Sequence, residues 1–308
     1  MSPSPTNLEL PVGAGVPAAG AQAGSRGADF VALTKPRLNF LVVVTTLVAY
    51  YLGAAPDAPL SALFHTVMGT ALVAGGSSAL NQVWERHTDA LMRRTRLRPL
   101  PDFRLHPREA AIFGIALSAA GLAELWLGVN ALTALVALVT LASYVLFYTP
   151  LKTRTSLSTI VGAIPGALPA VIGWVAATGV ASIEAWVLFA IVFMWQMPHF
   201  LAIAWLYRDD YAQAGIQLLP VIQPDGRSTG RQAVLYAAAL VPVSLLPSVV
   251  GLAGVDYLVG GIVLGAVVLW LSVEFAATLT TQTARRLFLA TILYLPVLWG
   301  VLLWDHFR

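Results

Sequence analysis

The chain contains no cysteine, which excludes disulfides, thiolate metal sites and a cysteine nucleophile. Charge is also scarce. Only 11% of the 308 residues are Asp, Glu, Lys or Arg, against 58% hydrophobic residues, too few to cover a soluble domain. With a mean hydropathy of +0.76, the sequence reads as a polytopic membrane protein. Without thiolates, any metal must be held by oxygen or imidazole. The pI near 9.3 does not signal nucleic acid, because the basic residues lie between apolar runs, where membrane topology explains many of them. No nucleic-acid partner is expected.

Residues 1 to about 28 are rich in Pro, Gly, Ala and Ser and show no apolar periodicity. We expect a disordered tail over residues 1–33 ahead of a membrane domain over residues 34–308. The tail matches neither a secretory signal nor a mitochondrial presequence, since it has the acids Glu9 and Asp29 and, among its basic residues, only Arg26.

Apolar segments follow at residues 38–55, 60–84, 109–127, 131–148, 156–177, 184–206, 232–252, 257–279 and 287–304. Each is close to the roughly 20 residues that cross a bilayer as a helix. The expectation is an all-α protein with nine transmembrane helices around a central cavity. Of the 18 Lys and Arg residues, 17 fall in the N-terminal flank or in the connections after spans two, four, six and eight; only Arg308 lies on the other side. The positive-inside rule then puts the N-terminus in the cytoplasm and the C-terminus outside. We expect a bacterial plasma (inner) membrane protein embedded in lipid.

The polar chemistry concentrates between Ser77 and Arg108. Asn81, Glu85 and Asp89 recur every four residues, so on a helix they share one slowly drifting face, about 6 Å apart per step along the axis. Seven arginines lie in the same stretch: Arg86, Arg93, Arg94, Arg96, Arg98, Arg104 and Arg108. An acidic ridge beside fixed positive charge suits an anionic phosphate held with a hard cation. Surface ion pairs at a solvated helix end are the plainer alternative. Asn81 and Glu85, however, adjoin a long apolar span, where polar groups are costly unless they line a cavity.

Three further polar elements sit at the same expected face. Asp209 and Asp210 follow span six, although neighbouring helical residues point about 100° apart, so both are not expected to face one site. Lys152 and Arg154 occupy a tight turn after Tyr148, and Lys35 and Arg37 precede span one. His199 lies inside span six after Pro198, whose missing N–H frees a carbonyl. It reads either as a packed interior histidine or as a ligand-binding group. His65 and Glu124 are also intramembrane, with nothing to tie them to a role. Trp84 and Tyr148 lie next to the acidic ridge, where ring faces could stabilise a cation.

Four stretches together resemble the UbiA superfamily of intramembrane prenyltransferases, in particular its heme-modifying branch. They are Thr34-Lys-Pro-Arg37; Asn81-Gln-Val-Trp-Glu-Arg-His-Thr-Asp89 running on to Arg98-Pro-Leu-Pro101; Tyr148-Thr-Pro-Leu-Lys152; and Trp195-Gln-Met-Pro-His-Phe200 leading to Asp209-Asp-Tyr211 and Leu219-Pro-Val221. The chain departs from the wider superfamily in having Glu85 where many members carry aspartate. Tyr207 and Tyr211 also stand at the spacing of a second paired-aspartate motif. Asp102 and Phe103 replace the small residue and glycine common in the branch, so a changed local turn is expected.

The resemblance implies a magnesium-dependent transfer of a farnesyl group from farnesyl diphosphate to a vinyl group of protoheme IX (heme B), with water addition, giving heme O and diphosphate. A quinone precursor or another aromatic or tetrapyrrole acceptor is the alternative. It also implies the site: Asn81, Glu85, Asp89 and Asp210 as catalytic residues and magnesium ligands, Arg37, Arg94, Arg98 and Lys152 on the diphosphate, and His199 on heme. Heme-synthesis enzymes or a heme A synthase are implied partners. A transporter, the rival from another class, should show internal repeats and interrupted helices in both halves, and no comparable repeat is present.

Overall fold

The computed structural model describes residues 25–308. Among these residues nine helices are long and apolar enough to cross a membrane. The spans are α2 (Pro36–Gly53), α3 (Leu60–Leu91), α4 (Pro107–Gly128), α5 (Ala131–Leu151), α6 (Ser158–Thr178), α7 (Ile183–Leu206), α10 (Arg227–Val249), α11 (Val255–Thr278) and α12 (Thr281–His306). Three shorter helices accompany them: α1 (Arg26–Leu33), α8 (Arg208–Gln213) and α9 (Leu219–Ile222).

The expected tail over residues 1–33 lies outside the described residues as far as residue 24, but its last part is ordered. Ser25 caps α1 by accepting a hydrogen bond from the Ala28 N–H, Leu33 is fully buried beside Leu100, Leu105 and Ala110, and Asp29 pairs with Arg104. A composition-based reading misses this, because the helix is held by contacts with residues some 70 positions further along the chain.

The helices close a ring in which α6 and α7 are the most buried spans. α6 packs on α2, α5 and α7, and α7 packs on α6, α10 and α12. Close approach is bought with small residues: a Cβ at Gly162 would lie 2.5 Å from the Tyr148 ring, so only glycine lets that ring sit against α6. α3 decides where the chemistry sits. Its 32 residues extend roughly 48 Å at the usual helical rise, well beyond a hydrocarbon core of about 30 Å. A helix that starts at Leu60 therefore carries Glu85 and Asp89 past the apolar layer on the face opposite its start. Near that face, six residues of α5, Ser143–Tyr148, form a wider π-helical turn. Such a turn shifts the register of the residues after it, here Tyr148, Thr149 and Lys152.

Candidate functional site

A cavity of about 440 Å³ runs from the polar ends of α2, α3 and α5 down between α6, α7 and α12. Asn81, Glu85, Asp89, Arg94, Arg98, Lys152 and His199 all line it. The three ridge residues share one continuous helix, which runs seven residues beyond the expected span end at Trp84.

Each ridge residue meets a cation. Lys35 Nζ donates to Asn81 Oδ1 at 2.8 Å, Lys152 Nζ to Glu85 Oε1 at 2.6 Å, and Arg98 Nη1 to Asp89 Oδ2 at 2.7 Å. Asn81 also donates through Nδ2 to Thr149 Oγ1 at 3.1 Å, and Thr149 in turn donates to the Tyr144 carbonyl at 2.8 Å. Lys152 lies over the Tyr148 ring, 4.4 Å from its centroid. These are the only two lysines in the chain, and both reach the same ridge.

Their protonation differs. Burial, with the repulsion of Arg98, brings Lys35 down to about 7. Burial would also lower Lys152, but the adjacent Glu85 carboxylate holds it well above the ordinary lysine value. Lys35 occupies the left-handed region, φ 48°, immediately before α2, a conformation that costs a non-glycine residue roughly 1–2 kcal/mol. The cost is tolerated where the turn aims the ammonium at Asn81.

The residues also fit a divalent cation. Asp89 Oδ1 is buried and has no hydrogen-bond partner, and it sits on the same face as the oxygens of Asn81 and Glu85. Among the described residues no group of three or more His, Asp or Glu is arranged to hold a metal. A cation here would need the substrate's phosphate oxygens to complete its shell, as magnesium commonly does.

Two of the expected site residues stand apart from the cavity lining. Arg37 is exposed at the start of α2, because the turn at Lys35 brings the lysine, not the arginine, inward. Asp210 is buried and accepts from Arg93 Nε at 3.1 Å, while Asp209 points outward with 78% of its side chain exposed. Trp84 is likewise mostly exposed, on a smaller hollow of about 150 Å³ beside the ridge. Arg94 stacks on Tyr207 and Tyr211 at the mouth, with its guanidinium 4.9 and 5.8 Å from the ring centroids. The tyrosines at the second-motif spacing thus hold a cation-bearing side chain by their ring faces. At position 103 the turn is left-handed, with φ 57° on a phenylalanine that is 94% exposed.

The deep end is less polar. His199 packs against the rings of Trp195 and Phe288, with centroids 5.3 and 5.1 Å away, and its Nδ1 is 2.9 Å from Thr291 Oγ1. Gln196, one turn earlier on α7, uses its amide hydrogens on the Ala163 and Val192 carbonyls. Tyr144 and Thr291 lie in no motif, and Thr149 and Gln196 lie inside two of the resembling stretches without a role of their own there; a polar residue inside an apolar span is the signal that marks them. His65 and Glu124 pair with each other at 2.8 Å away from this cavity.

Residues 42–303 match the model of the UbiA prenyltransferase family. A protoheme IX farnesyltransferase from Solibacter usitatus is 50% identical over 288 residues, covering 90% of this chain and 98% of the relative. Among solved structures, a digeranylgeranylglyceryl phosphate synthase superposes with a TM-score of 0.77 at 14% identity, over 92% of this chain and 99% of the other. A UbiA homolog from Archaeoglobus fulgidus bound to GPP and Mg2+ gives 0.63 at 16% identity, over 89% and 99%.

Proposed function

Since the chain belongs to the UbiA prenyltransferase family, we propose that it transfers the farnesyl group of farnesyl diphosphate to a vinyl group of heme B, with addition of water, and so makes heme O and diphosphate. The observation that carries this reading is one cavity with two unlike ends: cations and an acidic ridge at the mouth, and an imidazole packed against two aromatic rings below. His199 precedes the end of α7 at Leu206 by about two turns, or roughly 10 Å. The diphosphate and the acceptor therefore have separate places in one space.

The diphosphate takes the mouth. Lys35, Lys152, Arg98 and Arg94 donate to its oxygens and stabilise the negative charge that grows as the allylic carbon–oxygen bond breaks. Asn81, Glu85 and Asp89 would hold magnesium together with phosphate oxygens, and the bound cation would supply further charge neutralisation for the leaving group. Substrate binding must open the Lys152–Glu85 and Arg98–Asp89 pairs, so each cation can exchange a carboxylate for phosphate without leaving the site. Asp210, paired with Arg93 and off the cavity wall, anchors Arg93 at the rim and would become a ligand only if that pair opened.

The farnesyl chain lies along the apolar wall formed by Leu41, Val42, Pro165 and Val192. The rings of Tyr144 and Tyr148 face the developing cation. That cation bonds to the terminal vinyl carbon. The positive charge left next to the porphyrin is captured by water, which loses a proton, leaving a hydroxyl. His199 orients the acceptor. The site face is cytoplasmic and the C-terminus external in the plasma membrane, a reading supported by the placement of 17 of 18 basic residues. The product would pass to a heme-modifying partner such as a heme A synthase.

Pigments extracted from membranes expressing the protein should contain a heme enlarged by one farnesyl and one hydroxyl group. A prenylated quinone precursor with unaltered heme B would instead assign a different acceptor to the same diphosphate site.

A further inference from the structure

Thr291 lies on α12, fully buried, and no diphosphate chemistry reaches it. Its hydroxyl oxygen makes two short contacts, 2.7 Å to the Phe288 carbonyl oxygen and 2.9 Å to His199 Nδ1. The carbonyl can only accept, so the shorter contact takes the single hydroxyl hydrogen. The oxygen's lone pairs then face Nδ1, and the hydrogen between them belongs to the imidazole. Trp195 fixes the same residue from the other side, donating from Nε1 to the Thr291 carbonyl at 2.7 Å. It also stacks on the imidazole at an interplanar angle of 22°. Phe288, the residue whose carbonyl takes the hydroxyl, also packs its ring against the imidazole, with centroids 5.1 Å apart and an interplanar angle of 30°.

With Nδ1 engaged by Thr291 and two aromatic rings packed against the imidazole, Nε2 is the ring nitrogen that His199, a lining residue, has left for the cavity. We propose that Thr291 is a positioning residue that holds His199 as the Nδ1–H tautomer, so that the lone pair of Nε2 is presented to the iron of the acceptor heme. This rests on the reading of His199 as the heme-binding group and adds how that group is set. A hydrogen bond on the remote nitrogen fixes tautomer and ring direction in histidine ligands generally. The partner here is a neutral hydroxyl, which raises the basicity of Nε2 less than a carboxylate would. That suits an acceptor that must leave as product: the iron is held firmly enough to aim a vinyl group and weakly enough to be released.

The plainer role for a buried threonine is to satisfy a carbonyl one turn back on its own helix. Heme titration separates the two. Purified full-length protein in lipid nanodiscs is titrated with ferric heme, and farnesyl diphosphate binding is measured on the same preparation as a check on folding. The parent, Thr291→Val, Thr291→Ser and His199→Leu are compared. We expect Thr291→Val to weaken heme binding about tenfold and to remove the histidine-ligated absorption bands, with Thr291→Ser close to the parent and diphosphate binding unchanged throughout. If valine does not yield protein that binds farnesyl diphosphate, Thr291→Ala takes its place with the same expectation. Parent-like bands and affinity in Thr291→Val or Thr291→Ala, alongside their loss in His199→Leu, overturn the role of Thr291 alone. Loss in Thr291→Ser equal to that in valine also overturns it. Parent-like heme binding in His199→Leu overturns the reading of His199 on which it rests.

Discussion

Asp89 gives one carboxylate oxygen to Arg98 at 2.7 Å and keeps the other buried without a partner. A buried acceptor left unsatisfied costs roughly 1–3 kcal/mol, and under the proposed mechanism that oxygen is the one offered to the cation. Replacing Asp89 with Asn keeps the shape and removes the charge. We predict a loss of turnover of about 10²–10³-fold with the helical circular dichroism signal unchanged. Parent-level turnover with magnesium still required would remove Asp89 from the metal site.

Asp210 should behave differently. It faces Arg93 and lies off the cavity wall, so Asp210→Asn should reduce turnover by about tenfold or less, the order expected for a positioning contact, and leave the magnesium dependence of the rate in place. A loss as large as that of Asp89→Asn, with a shifted magnesium optimum, would make Asp210 a ligand that leaves Arg93 during the cycle.

The two lysines give a test that needs no substrate. In metal-free protein Lys35, with its value near 7, is largely neutral at about pH 8, while Lys152 remains charged beside Glu85. A small amine-directed reagent should therefore modify Lys35 ahead of Lys152, read by peptide mass. The stability signs are opposite. Between about pH 7 and the ordinary lysine value the unfolded chain holds more protons at position 35 than the folded one, so that contribution to stability rises with pH. The Lys152 contribution is fully present below the ordinary lysine value and is lost as pH climbs through its raised folded value. Equal labelling of both lysines would contradict the difference.

Phe103 holds a left-handed conformation on the surface, φ 57°, where a side chain costs roughly 1–2 kcal/mol relative to glycine. Phe103→Gly should stabilise the protein by about 1 kcal/mol, the gain being trimmed by the greater freedom of glycine in the unfolded chain. Thermal unfolding in one detergent reads this. A lower midpoint would mean that the phenyl ring makes contacts worth more than the strain.

The shared helix of the candidate ridge is legible in the sequence. The four-residue recurrence of Asn81, Glu85 and Asp89 requires only a helix, and α3 continues far enough to make it real. The spans were visible because length and apolarity set them. What the pattern could not give were relationships across helices. Lys35, in a left-handed conformation, lines the cavity and Arg37 does not, and sequence position does not report a backbone angle of that kind. Thr149 and Thr291 matter through Asn81 and His199, which are 68 and 92 residues away. The π-helical turn at Ser143–Tyr148 falls in a plain apolar run, and the order of α1 comes from contacts with the segment after α3.

The central claim is farnesyl transfer to heme with capture of water, and the product formed in 18O-labelled water tests it most directly. Purified protein with heme B, farnesyl diphosphate and magnesium should give one new pigment, heavier than heme B by a farnesyl group and a hydroxyl that carries the label. A farnesylated heme without labelled oxygen, or heme B recovered unchanged while farnesyl diphosphate is consumed on another acceptor, would contradict it.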